Sequence, residues 1–180
     1  MDPIEIEPYQ AEWPLRFADL GRDLRAALGD VANRIDHIGS TAVLGLAAKP
    51  IVDIQISVAE LDPLDAFQTP LETLGYVFRA DNADRTKRYF REAPGTPRTH
   101  IHVRRSGSWA EQFALLFRDY LRSHPDGATR HEGFKRELAE RYRDDRRAYA
   151  EAKGRFIWEL MQGADRWSQE VEWVPGPSDS

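Results

Sequence analysis

Apolar residues between positions 11 and 28 recur at spacings of three and four, at Trp13, Phe17, Leu20, Leu24, Ala27 and Leu28. The spacing predicts a helix with one buried face, ended by Gly29. The period then changes to two. Residues 31–37 and 51–58 read as strands, and in the second Asp53, Gln55 and Ser57 share the face opposite the apolar one. A second helix over 64–74 closes at Gly75, and a short strand over 76–79 leads into the charged loop D-N-A-D-R. Two further strands, over 88–92 and 100–104, flank the turn A-P-G-T-P. After Gly107 the pattern turns helical. W-A-E-Q-F-A-L-L-F-R-D-Y-L-R places Trp109, Phe113, Leu116, Phe117 and Tyr120 along one side, and Trp109, Phe113 and Phe117 are read as core rather than as a base-stacking platform. Pro125 opens another helical pattern. Residues 134–161 form either one long helix broken near Gly154 or two shorter ones. The order predicts an N-terminal α/β half and a C-terminal helical half, without internal repeats. The last stretch, V-P-G-P-S-D-S, has too little apolar surface to order itself and reads as a frayed end.

Composition narrows the function classes. With 180 residues, 41% hydrophobic, the chain suffices for one domain with a substantial core. The formal net charge of −5 argues against a nucleic-acid-binding surface. There is no cysteine, so any metal must use oxygen or imidazole ligands. The acidic start M-D-P-I-E-I-E-P-Y has no signal-peptide character, and no apolar run approaches the roughly 18 residues of a membrane span. A cytoplasmic protein without membrane contact is expected.

Candidate chemistry concentrates in H-I-G-S-T-A-V-L-G-L-A-A-K-P-I-V-D-I-Q-I-S-V, residues 37–58. Gly39 allows a left-handed turn or close approach of a ligand, and Ser40 and Thr41 supply hydroxyls beside backbone N–H groups for phosphates. Asp53, set among Ile51, Val52, Ile54 and Ile56, needs a cationic partner or a divalent ion. Lys49 precedes Pro50 and is extended, so its ammonium either neutralises a phosphate or pairs with Asp53. His100 and His102 stand at i, i+2 on a strand and project from one face, either as metal ligands or as part of a polar sheet face. Between Arg79 and Arg105 eight basic residues, Arg88 among them, face only three acids. Half of these are expected to grip a triphosphate or carboxylate and half to be solvated. Arg118 and Arg122 share one helix face, and either Arg122 faces the α/β half and the ligand or Arg118 forms an interdomain pair with an acid. Lys135, Arg146 and Lys153 sit on charge-rich helices and are read as solvent-facing.

The motif at 37–54, H-I-H-V at 100–103, F-R-D-Y-L-R at 117–122, and the later F-K-R-E-L-A and Y-A-E-A-K-G-R-F-I segments resemble the GrpB family, within the nucleotidyltransferase-fold superfamily. The likeness extends from about Ile4 to Trp167. It implies an α+β fold: a nucleotidyltransferase-like mixed sheet flanked by helices over 1–106, a C-terminal helical bundle over 107–170 in the same compact unit, and a flexible tail over 171–180. The superfamily motif, Gly-Ser followed by acid-x-acid, falls on Gly39, Ser40 and Asp53, with Gln55 at the second acid position. The resemblance implies a divalent metal, magnesium, manganese or zinc, on Asp53, Gln55, His100 and His102. It also implies a nucleoside triphosphate as substrate, its phosphates met by Gly39, Ser40, Thr41, Lys49, Arg88 and Arg122. Asp53, His100 and His102 would be the catalytic groups of nucleotidyl transfer to, or activation of, a small molecule. The same sequence resembles a domain fused to dephospho-CoA kinase and regarded as a folding accessory, which implies instead a silent ligand-binding domain with a protein partner.

Overall fold

The centre of the molecule is β2, Val52–Val58, whose alternation gives it two different faces. The protein is represented by a computed structural model that describes residues 5–180, apart from the side chains at 146 and 150. Residues 1–4, which the α/β part was expected to include, and the Arg146 side chain, expected to face solvent, lie outside the described residues. β1, Arg34–Ile38, pairs antiparallel with β2, and β5, Thr99–Arg105, runs parallel to β2 on its other side. β4, Arg88–Arg91, pairs antiparallel with β5, and the two-residue β3, Val77–Phe78, closes the order β1-β2-β5-β4-β3. The parallel β2–β5 pair requires a long crossover, supplied by α2, Asp65–Thr73, with β3 and β4.

Register assigns every side chain to a face. Ile35, Ile54, Ile56, Ile101, Val103 and Phe90 form the apolar face, covered by Phe17, Leu24 and Leu28 of α1, Glu12–Leu28, and by Phe67 and Leu71 of α2. Asp36, Asp53, Gln55, His100, His102 and Arg104 occupy the opposite face, beneath the C-terminal helices. The architecture is thus a mixed five-stranded sheet with helices on both sides, the expected α+β class. No described helix is long and apolar enough to cross a membrane.

α3, Trp109–Ser123, begins at Ser108, whose hydroxyl accepts from the Glu111 N–H. It buries Glu111, Leu115, Arg118 and Leu121, a mixed stripe suited to the polar sheet face. The expected core position Trp109 is 69% exposed, because the aromatic side of α3 turns away from the sheet. Phe117 and Tyr120 pack half-buried against the remaining helices. α4, Pro125–Arg141, and α5, Arg146–Glu170, are separated at residues 142–145, and Gly154 lies inside α5. The break falls there because the Asp145 carboxylate caps the N–H groups of Arg147 and Ala148. Interior glycine costs only about 1 kcal/mol against alanine, too little to break a packed helix.

The tail corrects the expectation of a frayed end. It lies along the outer edge of β1, where unpaired backbone groups need partners. Ile35 N–H donates to Ser178 Oγ (2.8 Å), His37 N–H to Asp179 Oδ2 (3.0 Å), and Ser180 N–H to the Ile35 carbonyl (3.1 Å). The Asp179 carboxylate also accepts from buried Arg118 at 2.9 Å, and Arg118 reaches Asp36 at 3.5 Å and the His37 carbonyl at 3.3 Å.

Candidate functional site

β1 ends at Ile38 and the chain reverses over Gly39, which has φ +72°. A Cβ there would stand 2.9 Å from Asp53 Oδ2, so the turn rests directly on the carboxylate and only glycine fits. Ser40–Ala42 then forms a short 3-10 turn. Ser40 lines the cleft, its hydroxyl 3.5 Å from His131 Nε2. Thr41 is committed elsewhere. Its buried hydroxyl donates to the Ile51 carbonyl (3.0 Å) and meets His37 Nε2 (3.0 Å), leaving no proton for the phosphate it was expected to bind.

Asp53, His100 and His102 converge as period two predicts. Asp53 Oδ1 lies 3.3 Å from His100 Nδ1 and 3.2 Å from His102 Nε2, and the three candidate ligand atoms lie within 4.8 Å of one another. Tyr89 packs against both imidazoles from β4. Burial pushes the Asp53 carboxyl up, but hydrogen bonds from His100 and His102 outweigh it and hold the group well below the usual range. Burial pulls His102 down to about 4, helped by Lys87 and Arg104 and opposed by Asp53. At neutral pH the pair is therefore a carboxylate beside a neutral imidazole. One anionic oxygen and two imidazole nitrogens suit a single divalent ion with open positions for a ligand.

Gln55 does not join them. It is fully buried, its carbonyl oxygen accepts from Arg104 Nη1 and its amide donates to the Glu111 carbonyl at 3.4 Å. The expected fourth metal ligand is thus occupied by a guanidinium, and a paired-carboxylate site for two ions does not fit these residues.

Opposite the sheet, α4 and α5 supply a cationic wall. A cavity of about 380 Å³ is lined by Ser40, Asp53, Arg104, His131, Lys135 and Lys153, among others. Lys49 also lines it, its ammonium 3.9 Å over the centre of the Tyr149 ring. Lys135, expected at the surface, is only 2% exposed and donates to the Ala47 carbonyl. Burial, then the nearby Lys153, pushes its amine down to about 7. Burial also lowers Lys153, against the pull of Asp53. The readable signal was spacing: His131 with Lys135, and Tyr149 with Lys153, each stand at i, i+4 and share a helix face.

Two expected phosphate contacts lie elsewhere. Arg88 is two residues from the core residue Phe90, on the sheet face opposite Asp53, and pairs with Asp62 at 3.3 Å. Arg122 approaches the Gly39 turn from behind, its Nε–H donating to the Ala42 carbonyl at 3.0 Å, and lines a different surface cavity.

The chain as a whole is similar to known proteins. The family model described as GrpB protein matches residues 3–163. UPF0157 protein YqkA of Bacillus subtilis is 32% identical over 92% of this chain and 48% of its own length. A dephospho-CoA kinase of Mycolicibacterium paratuberculosis is 32% identical over 96% of this chain and 49% of its own. The chain therefore spans about half the length of both curated relatives. The crystal structure of the conserved protein GrpB from Enterococcus faecalis superposes with a TM-score of 0.82, at 31% identity, over 91% of this chain and 99% of that one. Cid1, solved with its short product ApU, shares the fold at a TM-score of 0.51 and 15% identity, over 76% of this chain and 43% of that one. Matched along most of its length in sequence and in backbone, the chain belongs to the GrpB family.

Proposed function

We propose that the cleft binds a nucleoside triphosphate together with one divalent cation, and serves nucleotidyl transfer to, or activation of, a small molecule. The observation that carries this reading is the Asp53 carboxylate, lying under the Gly39–Ser40 turn with two imidazoles converging on one of its oxygens. Asp53, His100 and His102 would hold the ion, which supplies Lewis-acid polarisation of a phosphoryl oxygen when bound. Ser40 and Lys49 orient the phosphate chain at the mouth of the turn. Phe113, Phe117 and Ile157 form the apolar side of the cleft and limit water around the charges.

Titration calorimetry with nucleoside triphosphates, with and without magnesium, manganese or zinc, tests the reading on the wild type and on Asp53→Asn. Metal-dependent binding is expected in the first and absent in the second. Equal binding by Asp53→Asn overturns the assignment. A second reading, a ligand-binding accessory domain that works through a protein partner without turnover, is favoured by Gln55 and Arg104 standing where a second carboxylate would serve catalysis. Pyrophosphate release with any small-molecule acceptor rejects it.

A further inference from the structure

The helical wall holds cations that the triphosphate and metal reading does not need. Lys135 and His131, one turn apart on α4, are 2% and 1% exposed and both line the cleft. Lys153 enters the same cavity from α5, and Arg104 from β5. Among the described residues no carboxylate lies within ion-pairing distance of the Lys135 or Lys153 amine. Glu132, the acid closest to Lys135 in sequence, is held by the Ala47 N–H and by Arg136. Lys135 gives one of its hydrogens to the Ala47 carbonyl and has two more to donate. His131 Nδ1 and Arg104 Nε are buried polar atoms without hydrogen-bond partners.

Like charges sequestered together without counter-ions are unfavourable, and buried polar atoms are nearly always paired in folded proteins. Both deficits fall around one cavity, and both are of the sign that an anion corrects. Among the described residues Asp53 is the one acid that lines the cavity with Arg104, Lys135 and Lys153, so a polyanion matches the excess better than a single monovalent group. We propose that this wall is a metal-independent site for a diphosphate-class anion, gripped directly by Lys135, Lys153 and Arg104. The anion is either inorganic pyrophosphate or the diphosphate portion of a small molecule. The site shares the cleft of the proposed nucleotide binding and rests on that reading only in location, since it requires no ion on Asp53.

The test is calorimetric titration of the full chain with inorganic pyrophosphate in excess chelator, repeated with orthophosphate and with adenosine diphosphate. Lys135→Met and Lys153→Gln are the variants, each checked for a single cooperative melt. Pyrophosphate is expected to bind without metal, at least tenfold more tightly than orthophosphate, and each variant is expected to weaken it at least tenfold. Adenosine diphosphate binding more tightly than pyrophosphate assigns the diphosphate portion of a larger ligand; the reverse assigns the free anion. Either order supports the site, provided both lysine variants weaken the tighter ligand. Binding that requires metal, equals orthophosphate binding, or ignores Lys153→Gln overturns it. The nucleotide reading fails separately: pyrophosphate then binds in chelator while nucleoside triphosphates with metal do not.

Discussion

The two faces of the sheet are built by the same strands and differ by one residue of parity, yet they follow different rules. On the apolar face Ile35, Ile54, Ile56, Phe90, Ile101 and Val103 need only bulk around them, and α1 and α2 supply it. On the polar face each side chain needs a particular partner, and the partners come from far along the chain: Gln55 from Arg104, Asp36 from Arg118, Ser40 from His131. An apolar face is satisfied by volume and tolerates many neighbours; a polar face is satisfied by direction and charge, and an unmatched group there marks room for a ligand.

Substitutions two residues or fewer apart can break this contrast. Ile54→Ala should lose about 2–5 kcal/mol in urea denaturation by leaving a cavity between the sheet and α1. Asp53→Asn, next to it on the other face, should lose much less stability while losing the ligand. Equal losses of stability would mean that both faces are structural. Gly39→Ala comes next, at about 1–3 kcal/mol, because its backbone is left-handed and its methyl would press on Asp53 Oδ2. It should also weaken ligand binding by moving the carboxylate, and calorimetry on the folded variant checks this.

Changing the pH probes the same contrast without a substitution. Burial first of all depresses His37 to about 3, His102 to about 4 and His131 to about 2, from an ordinary 6.5. The unfolded chain therefore binds more protons than the folded one below about pH 6.5, and stability should fall as pH drops through that window. Lys135 acts at the other end. Its amine sits at about 7 when folded and 10.5 when unfolded, so stability should rise with pH across that interval. Melting temperature against pH should show this rise in the wild type and a smaller one in Lys135→Met, since burial also lowers Lys87 and Lys153. Added pyrophosphate should flatten the wild-type curve by keeping the amine charged.

Period two makes the fold and the heart of the site readable in sequence. Asp53, His100 and His102 meet because i, i+2 spacing on β5 and a parallel register with β2 leave them no other face. The same parity places Arg88 away from the site, since it is two residues from core Phe90, but a local excess of arginine obscures that. Thr41 and Gln55 were not readable as structural, because the Ile51 carbonyl and the Arg104 guanidinium that occupy them are set by tertiary register. Lys135 looks like any charge on a polar helix until the Ala47 carbonyl is placed over it. The tail shows the same limit: composition reports that it has no core of its own, and says nothing of a strand edge elsewhere that lacks partners.

That edge bears on how the sheet ends. The far side stops at β3, only two residues long, while β1 is five residues long and offers its backbone outward. With Ser178, Asp179 and Ser180 supplying the missing hydrogen bonds, the molecule carries its own terminator at β1, on the edge where a neighbouring strand would otherwise add. Protection of that edge therefore depends on three polar residues, which act by occupying a template rather than by repelling what would use it.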